Sequence, residues 1–148
     1  MFTGIVTSTG SVRRLIQEGD TRLEISCHFN TNDLDIGASV CCSGACMTVI
    51  EKGPNWFAVL VSKESLSKTT LGTWTEGTKI NLERALRAGD EMGGHFVSGH
   101  IDGVGYIRDI QSEGESIRMS LEAPTSLCYF IAYKGSITID GVSLTVND

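Results

Sequence analysis

The sequence predicts an all-β chain in which one small domain is built twice, each copy a closed barrel or a sandwich, with the barrel the better fit. Three observations point there. The first is an internal echo: Ser98-Gly99-His100-Ile101 aligns with Thr3-Gly4-Ile5-Val6, and Gly105-Tyr106-Ile107-Arg108 with Gly10-Ser11-Val12-Arg13. Ser136 to Val146 then aligns with Ser39 to Val49, in the same order and at nearly the same offset. Two matches in register argue for duplication, and a period of roughly a hundred residues is too long for a solenoid. The second observation is a series of short β-prone runs at turn-rich spacing. The third is composition: 17 glycines against 2 prolines in 148 residues suit many tight turns and few long helices.

In the first copy, Phe2 to Val6 is a short β-type run cut by Gly4. Gly10 to Ile16 and Thr21 to Cys27 are strands, with Glu18-Gly19-Asp20 as the turn between them. Leu23, Ile25 and Cys27 alternate with Arg22, Glu24 and Ser26, which suits a sheet with one wet face. Asn30 to Leu34 carries enough capping chemistry for one helical turn. Ser39 to Cys42 and Ala45 to Ile50 form a hairpin around Ser43-Gly44. Gly53-Pro54-Asn55 turns the chain into the strongly β-prone run Trp56 to Val61. Ser62 to Ser67 reads as a short helix capped by Ser62, and Thr78 to Glu83 as the last strand. A closed barrel places glycines at its corners and needs no second sheet to cover an open face.

The second copy repeats the plan. Gly103 to Ile110 and Ser116 to Leu121 are strands, Pro124 to Tyr129 is a short helix with Pro124 in its first turn, and Ser136 to Val146 is the hairpin. The sequence reaches Asp148 without counterparts of Trp56–Val61, Ser62–Ser67 or Thr78–Glu83. The expected division is residues 1–95 for a first barrel and 96–148 for the first half of a second, apparently truncated, whose open edge is a pairing hazard.

Twelve basic against 18 acidic residues give a net charge of −6. That disfavours nucleic acid and an anionic membrane surface as partners. No apolar run is long enough to span a bilayer, and Met1-Phe2-Thr3-Gly4 has no basic signal-peptide region. A soluble cytoplasmic chain with five reduced cysteines is expected. Cys42 and Cys46 have the spacing of half a zinc site, but no second pair matches them. No metal is expected, and Cys27 and Cys128 read as apolar strand and helix positions.

The hairpins hold the first candidate site residues. Strand side chains alternate between faces, so Ser143 and Thr145 oppose Val142, Leu144 and Val146, as Cys46 and Thr48 oppose Ala45, Met47 and Val49. Each copy thus offers two small hydrogen-bonding groups beside backbone amides freed by Gly44 or Gly141. That suits a flat heterocycle rich in carbonyls and ring nitrogens, although small polar residues more often just cover a wet strand face. The second copy has His100, Lys134, Asp140 and Ser143 where the first has Ile5, Gly37, Ser43 and Cys46. One copy looks equipped for proton transfer, with His100 as the carrier, the other for holding a ligand. His95 has a weaker claim of the same kind, and His28 reads as structural. Lys134 suits a polyol or a helix cap; Asp140-Gly141 is also an ordinary turn dipeptide. Ser62, Glu64 and Ser65 could clasp a hydroxylated side chain.

Taken together, Met1-Phe2-Thr3-Gly4-Ile5-Val6, Lys63-Glu64-Ser65-Leu66 with Thr69-Thr70-Leu71-Gly72, Gly93-Gly94-His95 with Ser98-Gly99-His100, and Lys134-Gly135 with Asp140 to Val146 resemble the riboflavin synthase family. The resemblance implies tandem six-stranded Greek-key barrels, each binding one lumazine, the second incomplete here. It implies the conversion of two molecules of 6,7-dimethyl-8-ribityllumazine into riboflavin and a ribitylamino-pyrimidinedione by four-carbon transfer, with no cofactor. It also implies a homotrimer held by a C-terminal helix, its site formed between neighbouring subunits. By the same resemblance, Gly4, Ile5, Val6, Cys46, Met47 and Thr48, with Leu60, Val61, Ser62, Lys63, Glu64 and Ser65, line the first pocket. Gly99, His100, Ile101, Lys134, Ser143, Leu144 and Thr145 belong to the second. His100, Ser143 and Thr145 would handle protons, Cys46 and Thr48 would hold the partner ring, and Phe2 would pack near the junction. The closing half of the second barrel and the trimer helix lie outside the sequence, so binding by the first barrel is better founded than turnover. The competing readings are a non-catalytic lumazine- or flavin-binding protein on the same fold and a ligand-free oligomerisation module.

Overall fold

The computed structural model describes residues 1–148. Six strands, β1 (Ser8–Glu18), β2 (Asp20–Cys27), β3 (Ser39–Cys42), β4 (Ala45–Gly53), β5 (Trp56–Val61) and β6 (Lys79–Arg84), close into a barrel in the order β1-β2-β5-β4-β3-β6. Every pairing in it is antiparallel. The second copy supplies two separate ribbons, β7 (Tyr106–Glu113) with β8 (Ser116–Glu122), and β9 (Ser136–Ile139) with β10 (Val142–Thr145).

The alternation in β2 does what its pattern predicts, with Leu23, Ile25 and Cys27 buried; Arg22, Glu24 and Ser26 are half-buried. Leu23, Ile25 and Cys27 join a cluster of 17 buried residues that includes Val40, Val49, Phe57 and Leu82. Phe29 caps it, stacked on Phe57 with ring centroids 5.9 Å apart. Each fully buried side chain of this size contributes ~1.5–3 kcal/mol, and this cluster is the barrel's main core. Gly10 lets β1 enter it: a Cβ there would lie 2.4 Å from Ser26 O and 2.7 Å from Leu82 Cδ1.

Helix α1 (Lys63–Lys68) starts where expected, with Ser62 Oγ accepting from Ser65 N at 3.1 Å. A 3-10 turn over Thr70–Thr73, not anticipated, follows it. Asn30 caps the predicted turn at Thr31–Asp33. Two expectations fail. Phe2 to Val6 forms no barrel strand, only an isolated bridge from Phe2 to Val97. The helix over Pro124 to Tyr129 is reduced to a turn and a 3-10 segment at Cys128–Phe130, whose N-cap residue Leu127 makes no side-chain cap bond. Nothing apolar covers that segment, so Cys128 is exposed rather than inside.

The duplication is written into the backbone. The pairing register shifts between Val12 and Arg14 in β1 and between Ile107 and Asp109 in β7, the same place in each copy. Positive φ angles also recur: 76° and 80° at Gly4 and Gly99, 44° and 92° at Ser43-Gly44, 46° and 84° at Asp140-Gly141. No helix is long and apolar enough to cross a membrane.

Candidate functional site

Each hairpin turns on two residues with positive φ, the type I′ geometry whose twist matches paired strands. The tight turn fixes which residues face each other across the ribbon. In the first hairpin Cys41 faces Cys46; in the second Thr138 faces Ser143.

The opening segments of the two copies then cross over. Cys46 N donates to Gly99 O at 2.8 Å, and Ser143 N donates to Gly4 O at 2.8 Å. A Cβ on Gly99 would lie 2.7 Å from Cys46 Cβ, and one on Gly4 would lie 2.7 Å from Ser143 Cβ. Phe2 and Val97 exchange reciprocal backbone bonds of 2.8 and 3.0 Å. At the hairpin tips, a Cβ on Gly44 would come within 3.1 Å of Gly141 N, and one on Gly141 within 3.0 Å of Gly44 N. The two copies are thus related by an approximate two-fold operation. This corrects the grouping drawn from the sequence: Gly99-His100-Ile101 belongs with the first hairpin, and Gly4-Ile5-Val6 with the second. The exchange was illegible because each segment pairs with the hairpin of the other copy, a contact with no local signal.

Glu83 anchors the crossing. Its Oε1 accepts from Thr3 N (2.6 Å) and Thr3 Oγ1 (2.7 Å), and its Oε2 accepts from Gly4 N (3.0 Å). The carboxylate is buried and satisfied by main-chain and hydroxyl donors. Sequence reasoning missed it, because a single acid at a strand end looks like surface.

A cleft of about 280 Å3 opens beside the first hairpin. Cys46 and Met47 form one wall, Glu64 and Ser65 of α1 a second, and Gly99, His100 and Ile101 a third. His100 is exposed there, with its backbone amide donating to Ser98 Oγ at 3.2 Å. It therefore stands with Cys46 and Glu64, not with Ser143 as the sequence grouping had it. Thr48 and Thr145 are exposed on their strands, and Leu144 is half-buried. Leu60 is exposed, but Val61 points into the barrel core at 1% exposure. Lys63 lines a separate cleft of about 330 Å3 with Leu15 and Trp74. Phe2 is wholly buried against Cys41 and Val97. Lys134 adopts φ 60° and sends its ammonium to Asn147 Oδ1 at 3.1 Å, over the Tyr133 ring. Asp140 is tied to the barrel through its carbonyl, which accepts from Asn81 Nδ2 at 2.9 Å, and desolvation raises its carboxyl above the usual range.

Burial pushes the Cys41 thiol up to about 11 and the Cys27 thiol likewise to about 11, and drives Cys42 well above its ordinary value. These three are protonated packing groups at neutral pH. Cys46 alone of the hairpin thiols reaches the cleft.

The duplicated, crossed arrangement has counterparts among known proteins. The profile of the lumazine binding domain matches twice, over residues 3–85 and 98–148. The chain belongs to the lumazine-binding domain family, alongside riboflavin synthases. It is 49% identical to the riboflavin synthase of Brucella abortus (strain 2308) over 154 residues, covering 99% of this chain and 76% of that protein. It is 41% identical to the riboflavin synthase of Bacillus subtilis (strain 168) over 147 residues, covering 99% of this chain and 68% of that one. Among solved structures, LumP complexed with riboflavin superposes with a TM-score of 0.87 at 24% identity, over 100% of this chain and 81% of LumP. That likeness establishes the shared fold. The lumazine-binding fold thus comprises one closed barrel here and an open second copy built to the same plan.

Proposed function

We propose that the chain performs riboflavin synthase chemistry: the dismutation of two 6,7-dimethyl-8-ribityllumazine molecules into riboflavin and 5-amino-6-(ribitylamino)pyrimidinedione, by transfer of a four-carbon unit, in a cytoplasmic homotrimer. The crossed junctions carry this reading. Gly99 meets Cys46 as Gly4 meets Ser143, so each of two like junctions draws on both copies. A reaction that uses one substrate as both donor and acceptor needs two like sites, and each junction would serve as one. The exchange between identical rings balances its own electrons, and so calls for no redox cofactor.

The donor's C7 methyl is acidic because the conjugated ring delocalises the anion it leaves. Holding the two rings face to face then supplies much of the rate. The main chain around Cys46 to Thr48 and Ser143 to Thr145 would hold the heterocycles. Glu64 and Ser65, at the cleft wall, would take ribityl hydroxyls. His100 would serve protons at the ring held by the first hairpin, and Ser143 with Thr145 those at the other.

A second reading is a lumazine- or flavin-binding protein without turnover. It is favoured by the open second copy, whose β7 is exposed along its whole length. Incubation of the whole chain with 6,7-dimethyl-8-ribityllumazine separates the two. Synthase activity yields one riboflavin for every two lumazines consumed. Binding alone changes lumazine fluorescence and yields no riboflavin. A chain that does neither overturns both. Where turnover is seen, His100→Gln is expected to lower kcat on the order of 100-fold; unchanged turnover removes His100 from proton transfer.

A further inference from the structure

Two cysteines face each other across the first hairpin: Cys41 on β3 is the register partner of Cys46 on β4. They lie next to the pair that closes the tight turn, Cys42 and Ala45. Cys46 N donates to Gly99 O, away from β3. Cys41 and Cys46 are therefore a non-hydrogen-bonded pair, the kind whose Cα atoms approach to ~4.5 Å with both side chains on one face. A disulfide forms across Cα separations of about 4.4–6.8 Å, so the backbone already meets its requirement. The surroundings agree on the shared face. Cys41 and Cys46 both pack against Phe2 and Val97, outside the barrel. Cys42 and Cys27 belong to the barrel core, so neither faces Cys46.

We propose that Cys41 and Cys46 are a redox-modification site: a hydroperoxide entering the cleft oxidises Cys46, and Cys41 captures it as a reversible disulfide. The two residues divide the work. Cys46 is half-buried and lines the cleft, where an oxidant can reach it. Cys41 is 1% exposed and meets only its neighbours. In the first step the Cys46 sulfur attacks the O–O bond of hydrogen peroxide, giving a sulfenic acid and one water. In the second, the Cys41 sulfur attacks Cys46 Sγ. The S–S bond forms, the S–O bond breaks, and the Cys41 proton leaves with the oxygen as a second water. The two thiols lose two electrons and the peroxide gains them. Burial keeps Cys41 a thiol at neutral pH, which suits a group that waits for an oxidised neighbour. The equivalent pair in the second hairpin is Thr138 and Ser143, whose hydroxyls cannot be joined in this way. Oxidation therefore acts on one junction only. The disulfide draws the Cys46 sulfur towards Phe2 and out of the cleft wall. That consequence for binding, unlike the bond itself, rests on the lumazine-binding reading above.

The test uses the whole chain carrying Cys128→Ser, which removes the exposed thiol, and treats it with hydrogen peroxide. Thiols are counted afterwards by alkylation in denaturant and intact mass. The chain is expected to lose two alkylatable thiols and two hydrogens, and to regain both thiols with dithiothreitol. Adding Cys42→Ala should change nothing. With Cys41→Ala no disulfide should form, and Cys46 should gain oxygen up to a sulfinic acid that dithiothreitol does not remove. A chain that loses no thiol pair reversibly overturns the proposal, as does a disulfide that still forms in Cys41→Ala. If Cys41→Ala does not fold, Cys41→Val, which refills the space, takes its place. Titration with 6,7-dimethyl-8-ribityllumazine reads the consequence. The oxidised chain is expected to bind roughly tenfold more weakly in one of two binding steps, with dithiothreitol restoring it. Bound lumazine should in turn slow the oxidation. Unchanged binding by the oxidised chain overturns the control of the cleft. A reduced chain that binds no lumazine overturns the functional reading, and the thiol count still decides the disulfide.

Discussion

Val12 and Ile107 occupy the same place in their copies, each at the start of a register shift, yet Val12 is 2% exposed and Ile107 55%. Their cross-strand partners diverge likewise, Ile25 at 0% and Leu121 at 40%. The ribbons are alike in pairing, turn and bulge; closure separates them. In the first copy β5 joins β2 to β4 and β6 joins β1 to β3, so one face of every strand looks inward. In the second, β7-β8 and β9-β10 remain separate ribbons. Strand pairing and turn chemistry are local and repeat with the sequence, whereas burial is a property of the closed sheet.

The sharpest way to break this contrast is a matched truncation. Ile25→Ala should destabilise the chain by about 4 kcal/mol, because it opens a cavity in a core that cannot collapse. Leu121→Ala at the equivalent place should cost less than about 0.5 kcal/mol. Urea unfolding of both variants measures the pair. Equal losses would mean that the second copy shares a cooperative core with the first.

The next effect sits where the copies meet. Glu83→Ala strands the amides of Thr3 and Gly4, which should cost about 3 kcal/mol. Glu83→Gln keeps one acceptor and should cost less. Since Gly4 O holds Ser143 N, the Ala variant should also speed hydrogen exchange at the Ser143 amide. Unchanged exchange there would show that the second hairpin is held without the opening segment.

What could be read from the residues follows the same divide. The strands of the first copy, the hairpin tips and the Ser62 cap were legible, because alternation, Ser43-Gly44 and Asp140-Gly141, and a serine before a short polar run are local signals. Cys46, Met47, Glu64 and Ser65 were also placed in one group, and the structure brings them to one cleft. The exchange of Gly4 with Gly99 was not legible, nor was the burial of Glu83, since both depend on contacts between segments distant in sequence. The hydrogen bond between His95 Nδ1 and Ser143 Oγ, 2.7 Å long, left one faint trace, the paired glycines Gly93 and Gly94 that precede His95. Such a pair marks a close backbone approach.

The smallest effect is silent at neutral pH and appears only in alkali. Cys27, Cys41 and Cys42 lie in the closed copy with thiol pKa values raised by burial, to about 11 for the first two. An unfolded thiol ionises near ~8.5. Below that pH both states keep the proton and stability is unaffected. Above it the unfolded chain releases protons that the folded chain retains, so unfolding becomes easier as pH rises towards about 11. Urea midpoints taken from pH 7 to 10.5 should therefore fall at the alkaline end, and less steeply in Cys41→Ala. Thiol labelling at pH 7.5 gives the complementary view. Cys128 should react fast, Cys46 more slowly and with protection by bound lumazine, and the three buried thiols only after unfolding. Fast labelling of Cys41 in the folded chain would show that the first hairpin opens as readily as the second, and the contrast between closed and open copies would not survive it.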